Sequence, residues 1–166
     1  MSLLSMLNRF NEGVTAASNK LRQSNEVARA TSDLNQRAYA ERYTIETALK
    51  LARMDLAYRE HMKRPEFRQA YERIRGAMNE ATAADAPTEQ VDTPAPDFNQ
   101  VPTHPDTAIG SAIREAVHSM TAERDQFLAG VRRELATDSD LQECFVDRME
   151  KLGADRYLPA LALSRA

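Results

Sequence analysis

The longest uninterrupted pattern in this chain runs from Asp33 to Lys63, with no proline or glycine inside it. Leu34, Ala38, Ile45, Leu49, Ala52 and Leu56 recur at steps of three, four or seven residues. That spacing puts them on one face of an α-helix. A second row, Tyr43, Thr47, Leu51, Met54 and Tyr58, lies about 200° round the same helix at an advance of about 100° per residue. A surface helix ordinarily carries one apolar stripe. Two stripes predict a central strut contacted from both sides, by helices of this chain or of a second copy.

Residues 2–30 predict a first helix. Leu7, Phe10, Val14, Ala17, Leu21 and Ala28 keep the 3-4 spacing of a coiled coil, with Ser24 where another apolar residue belongs. Thr31, Ser32 and Asp33 read as an interruption. Asp33 with Gln36 has the form of a capping box that would open the strut, the alternative being one helix running through. Pro65 ends or kinks the strut and suits the first turn of a third helix, Pro65 to about Ala81, whose apolar edge is Phe67, Ala70, Tyr71, Ile74 and Met78.

From Ala83 to Asp106 the pattern disappears. Pro87, Pro94, Pro96, Pro102 and Pro105 exclude a regular helix and predict an extended strap or tether. If the strap docks, Phe98 is the expected anchor, with Val101 its nearest apolar companion. After it, Ile109, Ile113, Val117, Met120, Phe127, Val131 and Leu135 mark an amphipathic helix to about Ala136, with Arg124 the one charged residue in register. Thr137 to Ser139 is a tight break, and Ser139 with Gln142 forms a second capping-box pattern. The next helix carries Leu141, Cys144, Phe145, Met149 and Leu152, and Gly153 is its expected stop. Tyr157, Leu158 and Leu161 then predict a short last helix or a docked tail. The fold class is therefore all-α: an elongated helical arm and strut (1–82), an acidic proline-rich linker (83–106) and a C-terminal helical hairpin (107–166). No strand signal and no fixed-period repeat appears.

Composition adds a reason to look for partners. Leu, Ile, Val and Phe make up 31 of the 166 residues, and 26 alanines supply much of the remaining apolar share. Alanine favours helix but buries little surface. The expected result is a strongly helical chain with a thin core, completed by self-association or by a larger assembly. A net charge of −3 is too small for an acidic disordered chain. Charge is uneven, however. The linker holds Asp85, Glu89, Asp92, Asp97 and Asp106 but no lysine or arginine, whereas Arg59, Lys63, Arg64, Arg68, Arg73 and Arg75 cluster around the strut's end.

That basic cluster, with Tyr58, Phe67 and Tyr71 interleaved, is the feature that favours phosphate contact and a nucleic-acid-binding adaptor. Glu60, Glu66 and Glu72 sit among the cations, which favours instead a solvated, salt-bridged face. The first turns, with Leu3, Leu4, Met6, Leu7 and Phe10, suggest a membrane-surface helix, but the basic face such helices use is sparse here. No segment has the apolar length of a transmembrane helix and no secretory signal is read, so a reducing cytoplasm, or a particle assembled there, is the expected location.

Catalytic and cofactor patterns are weak. Glu115-Ala116-Val117-His118 has the Glu-x-x-His spacing of carboxylate-bridged di-metal bundles, which need a second pair and two more glutamates. The single Cys144 lies between Leu141 and Phe145 on an apolar face and reads as a buried structural thiol. His104 reads as a linker residue. Nothing forms a phosphate loop, a zinc-type cysteine pair or a nucleophile elbow. The reading is a non-enzymatic interaction protein with no cofactor and no metal, joined to copies of itself or to a larger complex through helical stripes. The contact residues expected are Leu7, Phe10, Val14 and Leu21 on the arm, and Tyr43, Leu49, Leu51, Leu56 and Tyr58 on the strut, with Phe98 holding the strap.

Overall fold

The computed structural model describes residues 3–81 and 93–163, with the side chains of 3–8, 10 and 75–81 outside the described set. The fold is all-α. Helix α1 (Leu3–Met62) is followed by α2 (Pro65–Ala81), then the extended strap, α3 (Thr107–Leu135), α4 (Ser139–Lys151) and a short 3₁₀ helix, η1 (Asp155–Leu161).

The interruption expected at Thr31–Asp33 does not occur, because α1 is one helix of 60 residues. Two of the three polar residues find partners without leaving the helix. Thr31 donates its hydroxyl hydrogen to the Val27 carbonyl at 2.9 Å. Asp33 pairs with Arg37 one turn on, at 2.9 Å, instead of capping a new helix. An i,i+4 acid–base pair with the acid first supports a continuous helix. The expected break after Lys63 does form: Lys63 and Arg64 make the bend and Pro65 opens α2. Proline costs nothing there, since a first-turn N–H has no helical acceptor.

Residues group into two compact units that cut across the segments drawn from the sequence. The first comprises Met1–Ala38 and Pro96–Arg124, the second Tyr39–Ala95 and Asp125–Ala166. In the first, Leu34 of α1 packs with Ile109, Ile113 and Val117 of α3, and Val27, Ala30, Phe98 and Met120 cover the cluster. Asp106 caps α3, its carboxylate accepting from the Ala108 and Ile109 amides at 2.9 and 3.3 Å.

The second unit holds the larger core. Ile45, Ala48, Leu49 and Ala52 of α1 meet Leu128, Val131 and Leu135 of α3, Phe145 and Met149 of α4, and Tyr157 and Leu161 of η1. Arg42 lies over Phe127 and Arg53 pairs with Glu134, so α1 and α3 run parallel here. Asp55 pairs with Arg148 and Arg59 with Glu143, so α4 runs antiparallel to α1. The cap of α4 is Asp138, not the expected Ser139. Its carboxylate accepts from the Asp140 and Leu141 amides at 2.9 and 3.0 Å. Gly153 stops α4 as its sequence position implies, with φ +63°. The Gly153 and Ala154 amides donate to Glu150 and Met149 carbonyls, a Schellman closure that favours glycine at the left-handed position.

Cys144 is 1% exposed. Burial pushes its thiol above the ordinary cysteine range. Native protein is therefore expected to react with a thiol probe at least tenfold more slowly than protein unfolded in guanidinium, since the thiolate is the reactive form. Equal rates in the two states would mean that this core opens freely.

Candidate interaction surfaces

Most of the described part of the arm is exposed. Every described side chain from Arg9 to Arg22 is exposed. Val14 is 50% exposed and Leu21 is 66% exposed. The side chains of Leu7 and Phe10, the other two arm residues predicted as contacts, lie outside the described residues. Local bonds hold the helix instead: Thr15 donates to the Asn11 carbonyl at 2.8 Å, and Arg22 pairs with Glu26 at 3.1 Å.

On the strut, the two stripes have different fates. The first is used within the chain. Leu49 is 6% exposed, inside the core, and Leu56 packs against the same core. Their assignment as contacts with another molecule is therefore corrected: α3, α4 and η1 of the same chain already cover that face. The second stripe stays largely open. Tyr43 is 60% exposed and Met54 is 59% exposed, whereas Leu51 is half-buried. Tyr39 and Tyr43, one turn apart, stack with centroids 6.2 Å apart. Towards the bend, Tyr58 meets the edge of Tyr71 and His61 the ring of Phe67, each at 5.1 Å. These contacts fold α2 back against the last turns of α1.

The strap is held more firmly than one anchor implies. Phe98 packs on the first unit's core as expected, with the Arg124 guanidinium 5.5 Å from its ring centroid. That contact accounts for the one charged residue in the apolar register of α3. Val101, the expected companion, is exposed. Two further ties were not foreseen. Tyr157, fully buried, donates its hydroxyl hydrogen to the Thr93 carbonyl at 2.9 Å in the second unit. In the first unit, His104 Nε2 lies 3.0 Å from Glu26, while its Nδ1 accepts from the Asp106 amide at 3.1 Å. Those two bonds fix the orientation of the imidazole ring. Around them, Asn19, Arg22, Glu26, His104 and Asp106 line a shallow polar cleft.

The basic segment is partly committed to the fold. Arg59 lies 3.5 Å from Glu143, Lys63 pairs with Glu60, and Arg68 donates to the Met62 carbonyl at 3.3 Å. Arg64 and Arg73 are exposed, and the side chain of Arg75 lies outside the described residues. Glu115 and His118 sit on an open surface with Ser111, Arg114 and Ser119. Among the described residues, no group of three or more histidine, cysteine or acidic side chains converges as metal ligands would. No helix among them is long and apolar enough to cross a membrane. No family model matches this chain, and no curated protein or solved structure matches it.

Proposed function

We propose that this chain is a non-enzymatic structural protein that joins an assembly through the apolar ridge of its N-terminal arm. What supports this reading is the conjunction of a continuous helix with an uncovered, regularly spaced ridge at Val14 and Leu21. Short helices are marginal in water by themselves, and most helices in proteins owe their stability to packing of an apolar face. An arm whose described ridge residues stand exposed is completed by another molecule, either a second copy or a component of a larger complex. Helix-on-helix docking through spaced apolar anchors is the mode that fits this geometry.

Photo-crosslinking in the host cell tests the reading. A crosslinking residue in place of Leu21 is expected to give one discrete product of higher mass. The same residue in place of Glu12, which lies about 180° round the helix at about 100° per residue, is expected to give at least fivefold less of it. Equal or absent products at the two positions would overturn the proposal.

A further inference from the structure

We infer that the occupant of the ridge is a second copy of the same arm, packed antiparallel as a two-stranded coiled coil. This rests on the function proposed above and specifies its partner and geometry.

The argument lies in the distribution of side-chain size along the seam. At 3-4 spacing the seam positions are Leu3, Leu7, Phe10, Val14, Ala17, Leu21, Ser24 and Ala28. Size falls from the N-terminal to the C-terminal end, apart from Leu21. In a parallel pair every residue would meet its own equivalent. Leucine and phenylalanine would stack together at one end, and alanine and serine at the other. Interhelical distance follows the side chains at the contact, so such a pair would splay at one end and pinch at the other.

Reversing the second arm removes the gradient. Leu3 then meets Ala28, Leu7 meets Ser24, Val14 meets Ala17 and Phe10 meets Leu21, each twice about a two-fold axis. Three of the four pairings set a large residue against a small one, which keeps the separation of the axes even. The arm is therefore its own complement, as an isologous interface requires. The seam extends over residues 3–28, about 39 Å at about 1.5 Å per residue.

Two observations keep this surface available in the folded chain. Val14, Ala17, Leu21, Ser24 and Ala28 are all exposed, while Thr31 and Leu34 turn into the first unit's core and Val27 and Ala30 cover it. The seam positions from Val14 to Ala28 are thus left open, and the seam ends where Thr31, next in its register, is buried. Lys20 is the one charged residue at the positions flanking the seam, and reversal sets it beside Gly13 of the second copy, where the absent Cβ leaves room for its stem. No like charges abut there, so orientation follows size, and salt is expected to change the association little.

Two variants of the full chain that each add one cysteine, Leu7→Cys and Ser24→Cys, test the pairing under mild oxidation. The mixture is expected to give a disulfide-linked dimer at least tenfold above either variant alone. Wild type, whose Cys144 is buried, is the control and is expected to give none. Leu3→Cys mixed with Ala28→Cys provides a second pair should either first variant lose helicity by circular dichroism. Efficient linkage of Leu7→Cys to itself would overturn the antiparallel arrangement. No linkage in any mixture, with monomer mass by light scattering at every concentration, would overturn the second copy as partner. A persistent Leu21 crosslink in cells at a mass other than a dimer would then leave the broader proposal standing, whereas its absence would remove both.

Discussion

Phe145→Ala is expected to destabilise the second unit by about 3–5 kcal/mol, the ordinary cost of truncating a fully buried phenylalanine. Phe145 is 0% exposed, and its cluster draws side chains from α1, α3, α4 and η1. Its removal leaves a cavity in a core to which all of those elements contribute. Tyr157, also fully buried, is tied through its hydroxyl to the strap and leaves little freedom to fill the space. Relaxation into the cavity should therefore be incomplete, which places the cost in the upper part of the range. The measurement is hydrogen exchange of the α4 amides, followed beside thermal unfolding by circular dichroism. α4 protection in the variant should fall by at least two orders of magnitude, since each 1.4 kcal/mol is about tenfold in an opening constant. A loss below about 1 kcal/mol would show that the core repacks, contrary to the dense interior expected of proteins.

The same core shows which parts of the sequence were legible. Pro65 and Gly153 could be placed because their effect is a property of their own backbone. One lacks an N–H, and the other tolerates positive φ. The apolar face of the strut was equally plain from its period. Period identifies the face that is buried but not the molecule that buries it, and Leu49 was misassigned for that reason. Thr31, Ser32 and Asp33 misled because capping side chains also bond within a helix, as Thr31 and Asp33 do here.

Two residues of the described structure had signals that went unread. The first stripe steps by seven from Ala38 to Ile45, and the position between them that keeps its 3-4 spacing is Glu41. It is 2% exposed, a carboxylate in the buried face. The gap in the apolar pattern was thus the mark of a buried polar residue. His104 had only a weak signal, its place between Thr103 and Pro105. Nothing local tells that the strap brings it to Glu26. Long-range placement of an extended segment depends on tertiary packing, which no periodicity encodes.

Arg148→Ala should cost the second unit about 2 kcal/mol at neutral pH, between the value of an exposed ion pair and that of a fully buried one. The Arg148 guanidinium grips both carboxylate oxygens of Asp55. Each side chain is less than one third exposed, so solvent screens the pair only in part. Hydrogen bonding from Arg148 holds Asp55 below its ordinary value of 3.8, against the opposing effect of burial, and the cation's charge adds to the lowering. Asp55 raises the pKa of Arg148 in turn. In acid, the unfolded chain therefore binds a proton at Asp55 more readily than the folded chain does. The pair's contribution is fully present above the unfolded carboxylate's pKa, about 3.9, and is lost as pH falls through the lower folded value. The difference in unfolding free energy between wild type and Asp55→Asn should accordingly be flat near neutrality and shrink below about pH 4. A double-mutant cycle with Asp55→Asn and Arg148→Ala isolates the interaction, with an expected coupling of about 1.5–2 kcal/mol. Coupling under about 0.5 kcal/mol, or a wild-type advantage that persists unchanged through the acid range, would assign the cost of Arg148→Ala to lost packing of its methylene stem rather than to the ion pair.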